Sequence, residues 1–443
     1  MGKQFLEITE KKEVEKIIAG ISAKLANKIA AETEKVRISE ALGRIASADI
    51  FSPLDIPPFD RSTMDGYAVV ASDTFYSAED NPSSLIIKGY IQAGEFPSHL
   101  HQYIEKGYCT GISTGAPIPK GADAVVKVEN AFEYEDAVEV DREAFLKKVK
   151  IYKPVAPAEN IMLAGADIKR GERIVTNGTI LTPRETGVLA ACGLKEVTVR
   201  KKPVVAVIST GNELVAPGEE KLEPGKIYDV NAQTISDSIR ETGCGCIPLF
   251  LGIAEDSLEE ISAKINESFA KRVDIIIISG GTSAGVGDVL PTVIEGLGEI
   301  LVHGVDIKPG KPFVLGMVQE KPVFGLPGNP TSALITFNLF VAPLLRTISG
   351  NHFYMDEEGE RERRKSIKAK AAVRIFSEPG RNEYVLVNLA KMKSQEEENF
   401  FVYPILTGSG AITTLSKADG YIFVEKGKEI IEEGEEVKVE VFF

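Results

Sequence analysis

The chain has 443 residues, of which 43% are hydrophobic and 26% charged, and its formal net charge is −14. That length exceeds one ordinary core and asks for several domains. The acidic balance excludes an extended nucleic-acid surface, which needs a basic face, although a few lysines and backbone dipoles still suffice to hold a small anion.

From the N-terminus, Val14, Ile17, Ile18, Ile21, Leu25 and Ile29 fall on one stripe, which predicts a helix over residues 10–31. A second helical piece is expected over residues 38–46. Prolines 53, 57 and 58 then break any regular pattern and read as a linker into a new unit. Short β-branched runs at 66–70, 84–87, 124–128 and 138–140, set between Gly and Pro turns, predict a small all-β unit. Residues 157–200 are turn-rich, with one helix near 183–192.

The period then changes. Residues 204–209 read as a buried strand, followed by a helix over 231–242, a strand over 247–253 and a helix over 257–271. Ile275, Ile276, Ile277 and Ile278 are consecutive. Four isoleucines in a row cannot alternate between core and solvent, so this strand is buried on both faces, as in a parallel sheet covered by helices. A Gly-rich loop and a helix over 288–297 follow. Strands near 300–305, 313–318 and 323–326 lead into a long helix over 331–348. Alternating strands and helices predict a three-layer, doubly wound α/β domain. The charged run 357–365 reads as a solvated linker. Residues 367–443 read as a small β sandwich or barrel.

Cys109, Cys192, Cys244 and Cys246 form no Cys-x-x-Cys pair, and with four histidines there is no zinc pattern. They read as buried thiols of a reducing cytoplasm. The N-terminus lacks the apolar core of a signal peptide. The most apolar run, 334–345, is short for a bilayer and contains Asn338 and Pro343, so no membrane partner is expected.

In an open α/β sheet, ligands bind beyond the carboxyl ends of the strands. Five loops of this chain emerge there. They carry Thr210-Gly211-Asn212-Glu213, Ala254-Glu255-Asp256, Gly280-Gly281-Thr282-Ser283 running on to Asp288, Lys308-Pro309-Gly310-Lys311-Pro312, and Leu326-Pro327-Gly328-Asn329-Pro330-Thr331. Glycines let backbone N–H groups approach an anion, and a helix N-terminus adds positive potential. Lys308 and Lys311 read either as paired cations for a phosphate or oxyanion, or as lysines on an exposed turn. Asp288 reads as a helix N-cap or as a metal or ligand contact. Asp256 has the same two readings, and Glu213 is a surface carboxylate or a functional one. The start at Asn329-Pro330-Thr331 is a helix entry with an early proline.

Taken together, these loops resemble the MoeA family of molybdopterin molybdenumtransferases, which includes the gephyrin E domain. The matching segments are Ser52-Pro53-Leu54-Asp55-Ile56-Pro57, Phe59-Asp60-Arg61-Ser62-Thr63-Met64-Asp65-Gly66-Tyr67-Ala68, Ser113-Thr114-Gly115-Ala116-Pro117, Glu159-Asn160-Ile161, Ala164-Gly165-Ala166-Asp167-Ile168 and Ile227-Tyr228-Asp229-Val230-Asn231, with four of the five loops above, all but Ala254-Glu255-Asp256. They stand in family order across nearly the whole chain. Two departures occur: Ala158 replaces the family's usual Gly before Glu-Asn-Ile, and Thr282 replaces a common Val.

The resemblance implies an elongated, cytoplasmic homodimer of four domains. Residues 1–20 and 181–348 would form the α/β molybdopterin-binding domain, and 21–54 with 157–180 a mixed linker domain. Residues 55–156 would be an inserted β-rich domain and 353–443 a barrel-like C-terminal domain. The implied reaction inserts molybdate into adenylylated molybdopterin and releases AMP, with Mg²⁺ assisting. The implied catalytic residues are Asp60, Thr114, Asp167, Glu213, Asp288, Lys308 and Lys311, with Asp60 and Thr114 facing the cleft of the other subunit. Substrate binding would fall to Gly280, Gly281, Thr282, Ser283, Pro327, Gly328, Asn329, Arg381 and Ser409, and the metal to Glu213, Asp256 and Asp288. Other enzymes of molybdenum cofactor biosynthesis are the expected protein partners. A tungstate-inserting homologue and a gephyrin-like scaffold are the alternatives. Against the scaffold stands the absence from this sequence of gephyrin's extra N-terminal domain and linker.

Overall fold

Ile275, Ile276, Ile277 and Ile278 are all fully buried, and the central sheet is arranged around them. The computed structural model describes residues 8–95, 103–140, 144–218, 222–243, 245–282, 289–350, 366–393, 398–406, 408 and 410–442. The chain folds as two units. One comprises residues 1–34, 43–47 and 198–443, and the other comprises 35–42 and 48–197.

In the first unit, six strands run in the spatial order Ile247–Ala254, Val204–Thr210, Ile275–Ser279, Lys321–Leu326, Val314–Val318, Glu299–His303. The first four pair in parallel. Val314–Val318 is antiparallel to both of its neighbours, so Glu299–His303 points the same way as the parallel set. The expected parallel sheet is thus mixed by one strand. Along the isoleucine strand, Ile275 and Ile277 enter one core with Val14, Ile18, Phe313 and Phe340. Ile276 and Ile278 enter a second core with Ile261, Ile265, Leu290 and Ile294. One core lies on each face of the sheet, which is the three-layer arrangement anticipated from the isoleucine run.

The N-terminal helix, Lys11–Ala31, buries Val14, Ile18, Leu25 and Ile29. It runs unbroken past residue 20, and both of its halves join the same core. The apolar segment Pro330–Ile348 has the length and hydropathy of a membrane span, but 78% of it is buried inside the protein. It is a core helix, interrupted by a π-helical stretch at Phe337–Val341. After it, Ser366–Ala371, Asn382–Lys393, Glu398–Pro404, Gly420–Val424 and Glu436–Val441 pair around a closed five-stranded barrel. Ala369, Val387, Val402, Ile422 and Val439 fill it. The short strand Ile307–Lys308 of the α/β region pairs with Asn382–Lys393 of the barrel.

The second unit contains a six-stranded sheet in the order Ala124–Lys127, Gly66–Val69, Tyr108–Ile112, Ser83–Ile91, Ala144–Ile151, Ala131–Val140. Two of these strands, Tyr108–Ile112 and Ala144–Ile151, were not anticipated. Thr110 and Gly111 resemble loop residues in isolation, yet both are buried in the sheet. Gly111 is required there, because a Cβ would lie 2.2 Å from the Tyr90 ring. Two short ladders, Ile50–Phe51 with Arg173–Val175 and Arg61–Ser62 with Ile161–Met162, complete the unit. The helix Pro183–Ala191 follows a capping box made by Thr182 and Glu185.

The helix expected over 38–46 is a correction. Only a 3₁₀ turn, Ile38–Glu40, forms. Gly43 adopts φ +73°, which ends any helical path. Cys109, Cys192 and Cys246 are buried and form no disulfide among the described residues, whereas Cys244 and the run 357–365 lie outside the described residues.

Ala158 adopts φ +65°, a left-handed conformation that glycine tolerates and alanine resists. This accounts for the glycine usual at the position. Ala158→Gly relieves about 1–2 kcal/mol of strain and loses ~0.5–1 kcal/mol to chain entropy. A net gain of about 0.5–1 kcal/mol is expected by urea denaturation. A loss of stability would contradict the strain.

Candidate functional site

Strand register decides where the loops emerge. Thr210 pairs with Ala254, Ser209 with Ser279, and Ser279 with Leu326. Four parallel strands therefore end at nearly one level, and their loops lie side by side. Glycine brings two of them into contact. Gly280 has φ +103°, and a Cβ there would stand 2.2 Å from the Thr210 carbonyl oxygen. A Cβ on Gly281 would lie 3.0 Å from Thr210 Oγ1 and 3.8 Å from Asp256 Oδ1. Only glycines permit this approach.

The polar atoms around this glycine floor are short of partners. Thr210 Oγ1 and Asp256 Oδ1 are buried and accept no hydrogen bond among the described residues, as are Ser209 Oγ and Asp229 Oδ2. A buried polar group without a partner costs about 1–3 kcal/mol, so Thr210 Oγ1 and Asp256 Oδ1 beside Gly281 are open to a water, a cation or a ligand. Asp256 is not the cap of the following helix. Ser257 is, with its hydroxyl accepting the Glu260 N–H at 3.1 Å. The Asp256 amide donates to Asn212 Oδ1 at 3.1 Å, which fixes the loop and leaves the carboxylate available. Glu213 is exposed, and its carboxylate folds over Gly211, 2.8 Å from where a Cβ would be.

Asn231 ends the Ile227-Tyr228-Asp229-Val230-Asn231 segment, whose local sequence points to no role for it. It proves to be the brace of the site. Its Nδ2 donates to the Gly328 carbonyl and to Ser279 Oγ, each at 2.8 Å. Because the carbonyl only accepts, the amide orientation is settled. Asn231 Oδ1 then stays buried with no hydrogen-bond partner among the described residues. Gly328 and Asn329 are exposed beside this brace, while Pro327 is buried. A Cβ on Gly410 of the barrel would lie 3.7 Å from Asn329 Oδ1, so the C-terminal loop reaches this edge. Thr282 is buried, with its methyl 3.0 Å from where a Gly325 Cβ would be. A valine would fill the same space.

Lys308 and Lys311 lie in the loop between Glu299–His303 and Val314–Val318, at the same sheet edge. Lys308 is not a free cation. It pairs with Glu378 and Glu383 of the barrel, each at 2.9 Å. Burial works against its charge, but the two carboxylates prevail and hold its pKa above the ordinary lysine value. Burial likewise opposes the Glu383 charge, yet the Glu378 amide, Lys308 and Ser377 together hold its carboxyl below the usual range. Arg381 is exposed on the turn that enters the barrel strand.

The second unit gathers Asp60, Thr114 and Asp167 on one set of neighbouring loops. Asp60 Oδ1 accepts the Ala164 N–H at 2.8 Å, and the Asp60 carbonyl accepts the Ile118 N–H at 2.9 Å. The Thr114 amide and hydroxyl both donate to Asp65 Oδ1, at 2.6 and 3.0 Å. These bonds hold the Asp65 carboxyl below the usual range. The Asp167 N–H donates to the Ile56 carbonyl at 3.0 Å. All three expected residues are exposed.

Ser283, Asp288 and Ser409 lie outside the described residues. Among the described residues no three His, Cys, Asp or Glu side chains gather as a metal site. Mg²⁺ commonly takes one or two carboxylates and completes its shell with water and substrate phosphate. The hard oxygen of Asp256 and the nearby Thr210 hydroxyl fit that requirement. A cavity of about 700 Å³ lies elsewhere, at the amino-terminal end of the strands, lined by Ile21, Lys24, Leu25, Lys28, Met317 and Glu320 among others. None of the expected site residues lines it.

Asn231→Ala should leave the Gly328 carbonyl without this donor and the Ser279 hydroxyl with only the Pro327 carbonyl, to which it donates at 3.4 Å, costing about 1–3 kcal/mol. The Gly280 amide, which donates to Leu326 O at 3.0 Å, should then exchange its hydrogen faster. Unchanged exchange at Gly280 would show that Asn231 does not brace the loops.

Three family models match in succession: the MoeA N-terminal region (domains I and II) over residues 11–193, a probable molybdopterin-binding domain over 206–347, and the MoeA C-terminal region (domain IV) over 368–442. A putative molybdopterin biosynthesis protein of Methanocaldococcus jannaschii is 34% identical, over 92% of each chain. The molybdopterin molybdenumtransferase of Bacillus subtilis is 33% identical, over 92% of this chain and 89% of its own. A crystal structure of a molybdopterin biosynthesis MoeA protein from Pyrococcus horikoshii superposes with a TM-score of 0.77 at 38% identity, covering 99% of this chain and 100% of its own. On sequence and fold alike, the chain belongs to the MoeA family.

Proposed function

We propose that this protein is a molybdopterin molybdenumtransferase, which takes adenylylated molybdopterin and molybdate, releases AMP and leaves molybdenum on the pterin dithiolene. The carrying observation is the glycine floor at the ends of parallel strands, beneath the unpartnered Asp256 Oδ1 and Thr210 Oγ1. A pyrophosphate needs close backbone approach and hard oxygen ligands for its cation, and this edge supplies both. The relatives named for this reaction support the reading.

The chain's own groups divide the work. Gly280 and Gly281 let the pyrophosphate lie against the sheet end. Asn231 holds the Ser279 and Gly328 loops at fixed spacing. Asp256, with Glu213 and Asp288, would hold Mg²⁺, which when bound neutralises charge on the leaving phosphate. Lys308 and Lys311 would seat the tetrahedral oxyanion. Asp60, Thr114, Asp167, Arg381 and Ser409 are further proposed contributors. The four-domain division, a cytoplasmic homodimer and contact with other enzymes of the pathway belong to the same proposal. Tungstate would use the same lysines and is the alternative oxyanion.

AMP release from adenylylated molybdopterin, with Mg²⁺ and either oxyanion, tests the proposal. Release that depends on oxyanion is expected, and tight nucleotide binding without release would favour a scaffold. Asp256→Asn and Lys308→Gln should each slow release on the order of 100-fold with melting temperature retained. Full activity in both variants would move the site elsewhere.

A further inference from the structure

Lys308 stands between two carboxylates, and the local balance is one positive charge against two negative ones. With both carboxylates in place, Lys308 by itself offers an oxyanion no net positive charge. The two glutamates, however, are held differently. Glu383 faces Lys308 in the register of their parallel pairing and is 13% exposed. Its second oxygen accepts the Ser377 hydroxyl at 2.8 Å and the Glu378 N–H at 2.9 Å. It is a fixed counter-charge. Glu378 is 57% exposed, and among the described residues its carboxylate is held by Lys308 alone. It sits just before the Pro379-Gly380 turn, where Gly380 adopts φ +82°.

We infer that the Glu378 carboxylate is a built-in stand-in for the oxyanion: it occupies the anion's place on Lys308 and is displaced when the anion arrives. The inference rests on the reading of Lys308 as an oxyanion ligand. A carboxylate and a tetrahedral oxyanion both accept N–H···O bonds from an ammonium, so they compete for the same protons. Glu383 stays behind and keeps Lys308 oriented, with its other protons turned to the anion. A group tethered this closely competes at an effective concentration on the order of millimolar. Glu378 therefore acts as a specificity gate, because anions that bind an ammonium more weakly than a tethered carboxylate do not open the seat.

The test is calorimetric titration of molybdate into the intact protein and into Glu378→Gln, Lys308→Gln and Glu429→Gln, with melting temperatures recorded. Glu429 is exposed and serves as the control for lost charge. Glu378→Gln should bind molybdate about fivefold more tightly than the wild type, the scale of one partly exposed ion pair. Glu429→Gln should match the wild type. No gain in Glu378→Gln, or an equal gain in Glu429→Gln, overturns the inference. Lys308→Gln separates the two claims. If it loses binding, Lys308 remains the ligand even where the gate has failed. If it binds as the wild type does, both fall.

Discussion

Burial of the central strands on both faces is the constraint from which the rest follows. Val205, Ala206, Val207 and Ile208 are fully buried beside the four isoleucines. No polar side chain can work within such a sheet, because each would need a partner in the core. Polar chemistry is confined to the places where strands end. The pairings of Thr210 with Ala254 and of Ser279 with Leu326 bring those ends level, so one edge collects what the sheet excludes.

At that edge polar atoms are buried and, among the described residues, unpaired, while the loops that carry them are braced. Asn231 spends both amide protons on the brace. Ser257 caps its helix and so leaves Asp256 uncommitted. The barrel contributes through Ile307–Lys308, whose pairing with the barrel strand sets Glu383 opposite Lys308. The lysine loop is thereby tied to the barrel, and its charge is set by residues distant in sequence.

What was legible in the sequence was what local pattern controls. Four adjacent isoleucines announced a strand covered on both sides, and the Gly-rich loops marked the ends of its parallel neighbours. The helix expected over 38–46 failed because apolar spacing there is met by a turn at Gly43 with positive φ. The strand Tyr108–Ile112 was missed because Thr110 and Gly111 look like loop residues until Tyr90 covers them. Asp60, Thr114 and Asp167 are singled out only by the family resemblance, since their local sequence is explained equally well by turns. The carboxylates on Lys308 were out of reach, because no local pattern pairs residue 308 with residues 378 and 383. Asn231 was visible as part of a motif, but its two acceptors belong to other loops and only folding brings them together.

Hydrogen exchange with AMP and Mg²⁺ present and absent tests most directly whether this sheet edge is the nucleotide site. Protection is expected in the loops following Thr210, Ala254, Ser279 and Leu326, and not around Lys24, Lys28 and Met317 at the opposite end of the strands. Protection confined to that opposite end, or none at the four loops under saturating nucleotide, would contradict the account.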